Sequence, residues 1–336
     1  MHAVQTMRAI VIPAFGEADV LSLREVPVPE PGPREIAIDV AYAGVNYAEV
    51  LFRSGGVPEL PLPFVPGIEV SGTVRALGAE VTAFEIGQPV AALSIVGGGG
   101  YAEVVTVPAE LAFPLEPDRI SEEALAIAAA SPSNLATAYL ILREVARIRP
   151  GETVLVHAAA GGVGSLIGQM ARRLGAACVI GTVGSPDKVA YAQDLGYDAV
   201  FLRDGYAEAV MELTAGEGAD IVVDPVGGAL REEALRLLKP LGRLVAMGNA
   251  GGAGDVRQSV NELWFASKAV LGFNLQQLSG YAPRLVADAA TTALAMALRG
   301  EIRVDVTGVL PLREAAEAHR RIEARRTTGK LALKVR

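Results

Sequence analysis

The chain has 336 residues, 51% of them hydrophobic, enough for two domains with ordinary buried cores. Its formal net charge of −8 is carried by interspersed acids and bases, which argues against a general nucleic-acid or anionic-membrane surface. The single cysteine, Cys178, excludes an intrachain disulfide and a cysteine-rich metal site, and the three histidines, His2, His157 and His319, are too scattered for a zinc centre.

Residues 1–6 read as a dispensable extension, since Met7 opens the first strand-like run. No charged-then-apolar plan marks a signal peptide, and the longest apolar runs, such as Leu135–Leu142, are of core-helix size. A cytoplasmic protein with no membrane partner is expected. Arg8–Ile12 forms a short apolar run, and Leu23–Pro33, with Pro27, Pro29, Pro31 and Pro33, suits a surface loop. Ile36, Ile38 and Val40 alternate with Ala37 and Asp39, the pattern of a half-buried strand. Further strands are expected at Val70–Val74, Val90–Leu93 and Val104–Val107, which together favour a small barrel or sandwich.

Composition shifts near Ser121, a helix N-cap before an alanine-rich stretch. Strands and helices then alternate. Strands are expected at Thr153–His157, Cys178–Gly181, Ile221–Asp224 and Arg243–Met247, and helices at Gly162–Leu174, Lys188–Leu195 and Leu230–Leu238. This order implies a doubly wound α/β domain with a parallel sheet and helices on both faces. From about Gly272 the tail returns to mixed structure and rejoins the first domain.

One segment carries chemistry. Thr153–His157 leads into a turn in which Ala159, Gly161 and Gly164 occupy the three places of a dinucleotide-binding fingerprint. Ala159 lets the chain turn, Gly161 admits a pyrophosphate, and Gly164 lets the helix press on the strand. Gly162 and Val163 complete the loop, whose N–H groups and helix dipole favour an anion. A structural turn is the plainer alternative, but the apolar strand before the loop and the spacing of Val163, Ile167, Met170, Ala171 and Leu174 after it support the nucleotide reading.

Enzymes that use NAD place an acid at the end of the second strand to hold the ribose hydroxyl. Here Gly181-Thr182-Val183-Gly184-Ser185 offers none, whereas Ser185, Lys188 and Tyr191 suit a 2′-phosphate. NADPH is therefore expected, with Asp187 a helix-start charge.

Several motifs in order extend this reading: Ala43–Tyr47, Pro66–Gly72, Gly99–Glu103, Thr137–Tyr139, His157–Gly164, Asp224–Gly228 and Thr328–Lys330. From about Met7 to Lys334 the chain resembles the zinc-independent medium-chain dehydrogenases/reductases, in their quinone oxidoreductase and enone or enoyl reductase branch. The resemblance implies a GroES-like β-barrel catalytic domain over 1–125, completed by about 272–336, and a Rossmann NADP-binding domain over 126–271. It also implies a cleft between them and a homodimer joined through Val270–Leu275. The zinc-dependent relatives have metal ligands near Val45–Tyr47 and Ile68–Glu69, where this chain has neither Cys nor His, so no metal is expected and Glu69 reads as a buried structural carboxylate.

By the same resemblance Asn46 lies beside the nicotinamide and Thr137 near its carboxamide, with Tyr47 and Tyr139 as neighbouring hydroxyls. Asn46 reads equally well as a turn residue bonding the backbone. The tyrosine that many quinone reductases carry five residues after this asparagine is Leu51 here, which removes a proton donor. Gly227 and Gly228 are expected beside the cofactor ribose, and Gly248, Asn249, Phe273 and Asn274 beside the nicotinamide, with Phe273 fitting a dimer core equally well; Lys330 joins the cofactor contacts. His157 reads as a structural histidine and His319 as a surface residue. Trp264 and Phe265 fit either a substrate wall or a dimer contact.

The expected reaction is hydride transfer from NADPH to a quinone or an α,β-unsaturated carbonyl. The alternatives are a polyketide-type enoyl reductase or tailoring enzyme, and an NADPH-binding protein without catalysis. Specificity should reside in 55–64 and 251–263, which pattern does not resolve.

Overall fold

The computed structural model describes residues 5–336; of the extension anticipated at 1–6, positions 1–4, His2 among them, lie outside the described residues. The chain divides into two compact units. One comprises the chain up to Ala136 together with Leu275–Ala295 and Val304–Arg336; the other comprises Thr137–Asn274 and Met296–Arg303.

In the first unit β1 (Thr6–Val11) pairs antiparallel with β2 (Ser22–Pro27), Met7 opposite Val26. The loop expected over Leu23–Pro33 is thus a strand in its first part. The proline-rich stretch begins only at the last residue of β2, where a missing N–H no longer breaks the ladder. Then follow β3 (Glu35–Val45), α1 (Tyr47–Ser54), β4 (Glu69–Leu77), β5 (Pro89–Leu93), β6 (Val104–Pro108), β7 (Ala112–Pro114) and α2 (Glu122–Ala129), and α3 (Pro132–Leu140) runs on from the first unit into the second. β3 is not half-buried as its alternation suggested. Ala37, on the face opposite Ile36 and Ile38, packs with Met7, Ala9, Ala102 and Val104, so the β1 hairpin covers that side too. Ser121 caps α2, its hydroxyl accepting from the Ala124 N–H at 3.0 Å.

The second unit contains β8 (Thr153–His157), α4 (Gly164–Arg173), β9 (Cys178–Val183), α5 (Val189–Gln193), β10 (Ala199–Leu202), α6 (Tyr206–Leu213), β11 (Ala219–Asp224), α7 (Ala229–Arg236), β12 (Leu238–Ala246), α8 (Val260–Ala266) and β13 (Ala269–Gly272). Its six strands run parallel in the order β10-β9-β8-β11-β12-β13 around a core that includes Leu155, Ile180, Val222 and Leu244. The strand order reverses at β8, where a parallel sheet opens a crevice beyond its carboxyl ends. Two expected helices differ in detail. α4 starts at Gly164, not Gly162, because Gly161–Val163 form the turn, and Lys188–Leu195 is a 3-10 turn over Pro186–Lys188 followed by the short α5.

The tail supplies α9 (Leu275–Tyr281), α10 (Pro283–Leu298), β14 (Val306–Pro311), α11 (Ala315–Glu323) and β15 (Lys330–Lys334). β15 joins β3 antiparallel, Leu331 opposite Val45, and completes the seven-stranded sheet β14-β15-β3-β4-β5-β7, with β6 also on β3. His319 is not at the surface: the apolar stripe of α11 turns Ala315, Ala318 and His319 inward, and all three are buried. Among the described residues no single helix is long and apolar enough to cross a membrane.

Candidate active site

The glycine loop of the second unit is built by steric demand. Ala158 takes φ +56°, and the Gly161 N–H bonds back to its carbonyl at 2.9 Å, which closes the turn after β8. A Cβ on Gly164 would stand 2.3 Å from the Ala158 carbonyl oxygen, and one on Gly161 3.2 Å from it, so the turn needs glycine at the first place and favours it at the second. The Gly162 and Val163 N–H groups have no internal acceptor among the described residues, which leaves donors at the start of α4 for an anion. Ala159 and Ala160 are buried beneath them.

Tyr197, which pattern did not single out, supports the loop from below. Its hydroxyl donates to the Gly164 carbonyl at 2.5 Å, and its ring leaves no room for a Cβ on Gly168 or Gly181, at 2.4 and 2.9 Å. Those two glycines were the available signal: small residues on facing elements mark where a large side chain inserts.

The end of β9 carries Ser185 and Lys188, both half-buried. Ser185 bonds the Asp187 carboxylate, which together with the nearby Lys188 holds that acid below its usual range. Leu202 of β10 pairs with Val183, so Arg203 arrives beside Gly184, where a Cβ would lie 3.7 Å from the guanidinium carbon. Partial burial, with help from Arg203 and against Asp187, lowers the Lys188 ammonium. Two cations thus flank an acid-free strand end, with Tyr191 half-buried on α5 one turn beyond.

At the end of β11, the buried Asp224 accepts from Val226 N–H at 2.7 Å and Gly227 N–H at 3.0 Å. Arg231 ties it to the next loop, donating Nε to Asp224 at 2.5 Å and Nη2 to the Gly248 carbonyl at 2.7 Å. Gly227 holds φ +81°, and a Cβ there would meet Asn249 Oδ1 at 2.4 Å, so the two loops touch through Gly227 and Asn249. Phe273, half-buried, continues the same rim, its N–H bonded to Ala246 O at 3.0 Å. His157 is fully buried, with Nδ1 2.8 Å from the Thr182 hydroxyl and its ring edge-on to Tyr206; burial pushes it down to about 4.

In the first unit Asn46 stands at the N-cap of α1, in a capping box with Glu49. Its amide nitrogen donates to Glu69 at 2.9 Å, and its amide oxygen accepts from Lys330. Lys330 also meets Glu69 at 2.7 Å, with the lysine 4% and the glutamate 0% exposed. The second oxygen of Glu69 accepts from the Ser133 N–H at 2.9 Å, at the start of the helix that carries Thr137. Both ends of the Asn46 amide are therefore engaged inside the protein, and so is the ammonium of Lys330. Glu49, also fully buried, accepts from the Asn46 and Ile68 N–H groups; burial raises its carboxyl to about 7 against the pull of Lys330. Tyr47 is half-buried and Thr137 buried.

The alcohol dehydrogenase GroES-like domain matches residues 32–117, and the zinc-binding dehydrogenase family matches 162–291. A quinone oxidoreductase of Pseudomonas aeruginosa is 37% identical over 97% of this chain and 99% of its own length. The chain belongs to the medium-chain dehydrogenase/reductase family. Within it, the quinone oxidoreductase branch is the one it falls in. The solved structure of the Escherichia coli quinone oxidoreductase, complexed with NADPH, superimposes with a TM-score of 0.88 at 31% identity, covering 98% of this chain and all, 100%, of that one. A mycobacterial protein complexed with NADPH gives 0.89 at 34% identity, with 98% and 100% coverage.

The architecture of the family is present: a GroES-like first unit and a Rossmann-type parallel sheet in the second. Among the described residues no three His, Cys, Asp or Glu side chains are grouped to hold a metal ion. Asn46, Glu69 and Lys330 form one hydrogen-bonded cluster, with the ammonium of Lys330 beside the Glu69 carboxylate.

Proposed function

We propose that the chain is an NADPH-dependent oxidoreductase that reduces a quinone or an α,β-unsaturated carbonyl without a metal ion. One observation carries the cofactor: an acid-free end of β9 flanked by Lys188 and Arg203, next to a glycine turn with unpaired donors. NADPH, when bound, supplies the hydride. The chain's residues do the rest. Ala159, Gly161, Gly162, Val163 and Gly164 cradle the pyrophosphate; Ser185, Lys188, Tyr191 and Arg203 hold the 2′-phosphate. Gly227, Gly248, Asn249 and Phe273 line the ribose and nicotinamide side.

Asn46, with its amide tied to Glu69 and Lys330, fixes the start of α1 and presents Tyr47, while Lys330 acts through this cluster. Tyr47 and Thr137 offer hydroxyls to the carboxamide and the acceptor oxygen, lowering the barrier by orientation and charge stabilisation. With Leu51 in place of a tyrosine, the proton reaches the reduced acceptor from water, which suits a quinone best because its reduced anion is a stable species. The identity with quinone oxidoreductases supports the acceptor class. Homodimer formation through the edge strand β13 and a cytoplasmic location complete the reading; Val270 on that strand is 39% exposed.

The test is NADPH oxidation by the chelator-treated protein with a panel of quinones and enones. Turnover unaffected by the chelator is expected. Tight NADPH binding without turnover of any acceptor would favour a non-catalytic binding protein, and turnover restricted to carrier-bound enoyl thioesters would favour an enoyl reductase.

A further inference from the structure

Away from the cofactor loop, three buried side chains of the first unit carry polar atoms that no group among the described residues satisfies. Arg53, near the end of α1, donates Nη1 to the Gly16 carbonyl and Nη2 to Glu323 of α11, yet its Nε has no partner. Tyr101 Oη and both ring nitrogens of His319 also lack one. All three side chains are 0% exposed. They are neighbours: the rings of Tyr101 and His319 meet edge to face with centroids 6.0 Å apart, and the Arg53 charge bears on His319. Buried polar atoms are nearly always paired, with protein or with ordered water, so four orphans in one place call for a ligand.

The donor and acceptor inventory identifies its class. Arg53 Nε–H can only donate, and the Tyr101 hydroxyl can do both. Burial and the Arg53 charge push His319 down to about 3, so at neutral pH its ring is uncharged and offers one donor and one acceptor. An anion would leave the acceptor nitrogen unanswered. A cation cannot accept from Arg53 Nε–H, and an apolar guest answers nothing. Water accepts and donates at once, and internal waters commonly make about three such bonds.

We propose that at least one structural water lies between α1, α11 and Tyr101, accepting from Arg53 Nε–H and bonded to His319 and Tyr101. The water joins the end of α1 to α11, and so helps to fix the helix whose first turn holds Asn46 and Glu49.

Two measurements test this. A high-resolution crystal structure of the full chain is expected to show a water within hydrogen-bond distance of Arg53 Nε and of one His319 nitrogen. Tyr101→Phe, which deletes one bond to that water, is expected to raise the unfolding equilibrium constant about fivefold. A dry contact gives the opposite sign: removing an unsatisfied buried hydroxyl lowers the constant. Absence of water density, or stabilisation by Tyr101→Phe, overturns the proposal; if that variant does not fold, the crystal structure decides alone.

Discussion

Glu69 is fully buried, yet it meets three donors: the ammonium of Lys330, the amide of Asn46 and the Ser133 N–H. The register Leu331 opposite Val45 brings the lysine level with the asparagine, and a buried pair of this kind depends on both members. Lys330→Met is expected to destabilise the protein by about 3–5 kcal/mol in urea titration, because Glu69 is left charged without its counter-ion. A loss below about 1 kcal/mol would show that the pair carries no structural load. At this scale the sequence was partly legible. Glu69 was recognisable as a buried carboxylate, but its pairing with Lys330 was not, because nothing in linear spacing reveals a partner across an antiparallel register. Arg203 and Arg231 escaped notice for a similar reason: each reaches its site from a neighbouring strand or helix.

At the scale of elements, α4, β9 and Tyr197 form one packing unit. A Cβ at Gly168 would stand 2.4 Å from the tyrosine ring, so α4 approaches the sheet as closely as it does only because that position is bare. Gly168→Ala is expected to cost about 1–3 kcal/mol through overpacking. By displacing the start of α4, it should also reduce the rise in Tm that NADPH gives the native protein. An unchanged Tm with and without cofactor would mean that the helix moves freely to make room. The elements most clearly patterned in sequence, β8, β11 and the amphipathic part of α4, are found where period and composition put them. β2 was obscured by adjacent prolines, and β10 and α6 went unmarked. The inward turn of His319 on α11 shows why polarity alone misplaces a residue: the helix face, set by Ala315 and Ala318, decides its burial.

For the molecule as a whole, three buried titratable groups give stability a definite pH dependence. His157 and His319 have pKa values depressed from 6.5 to about 4 and about 3, so the stability they allow is present above 6.5 and lost as pH falls through those values. Glu49 is raised from 4.5 to about 7; its contribution is full below 4.5 and lost as pH rises through 7. Between about pH 4.5 and 6.5 the two histidines make stability rise with pH while Glu49 works against them, so Glu49→Gln is expected to steepen that rise, as read from denaturant midpoints across the range. An unchanged slope would mean that Glu49 ionises freely in the folded protein.

The two-unit organisation and the glycine turn followed from composition and alternation, whereas the acceptor depends on loops whose sequence carries no period. The most direct measurement is the ratio of kcat/KM for NADPH over NADH with a quinone acceptor, in the native chain and in the Lys188→Ala/Arg203→Ala double variant. Charge-assisted bonds to a phosphate contribute about 1.5–3 kcal/mol each, so the native ratio should exceed about tenfold. The variant should bring it close to one by losing activity with NADPH alone. Equal use of both cofactors by the native chain, or an equal loss with both in the variant, would contradict the account.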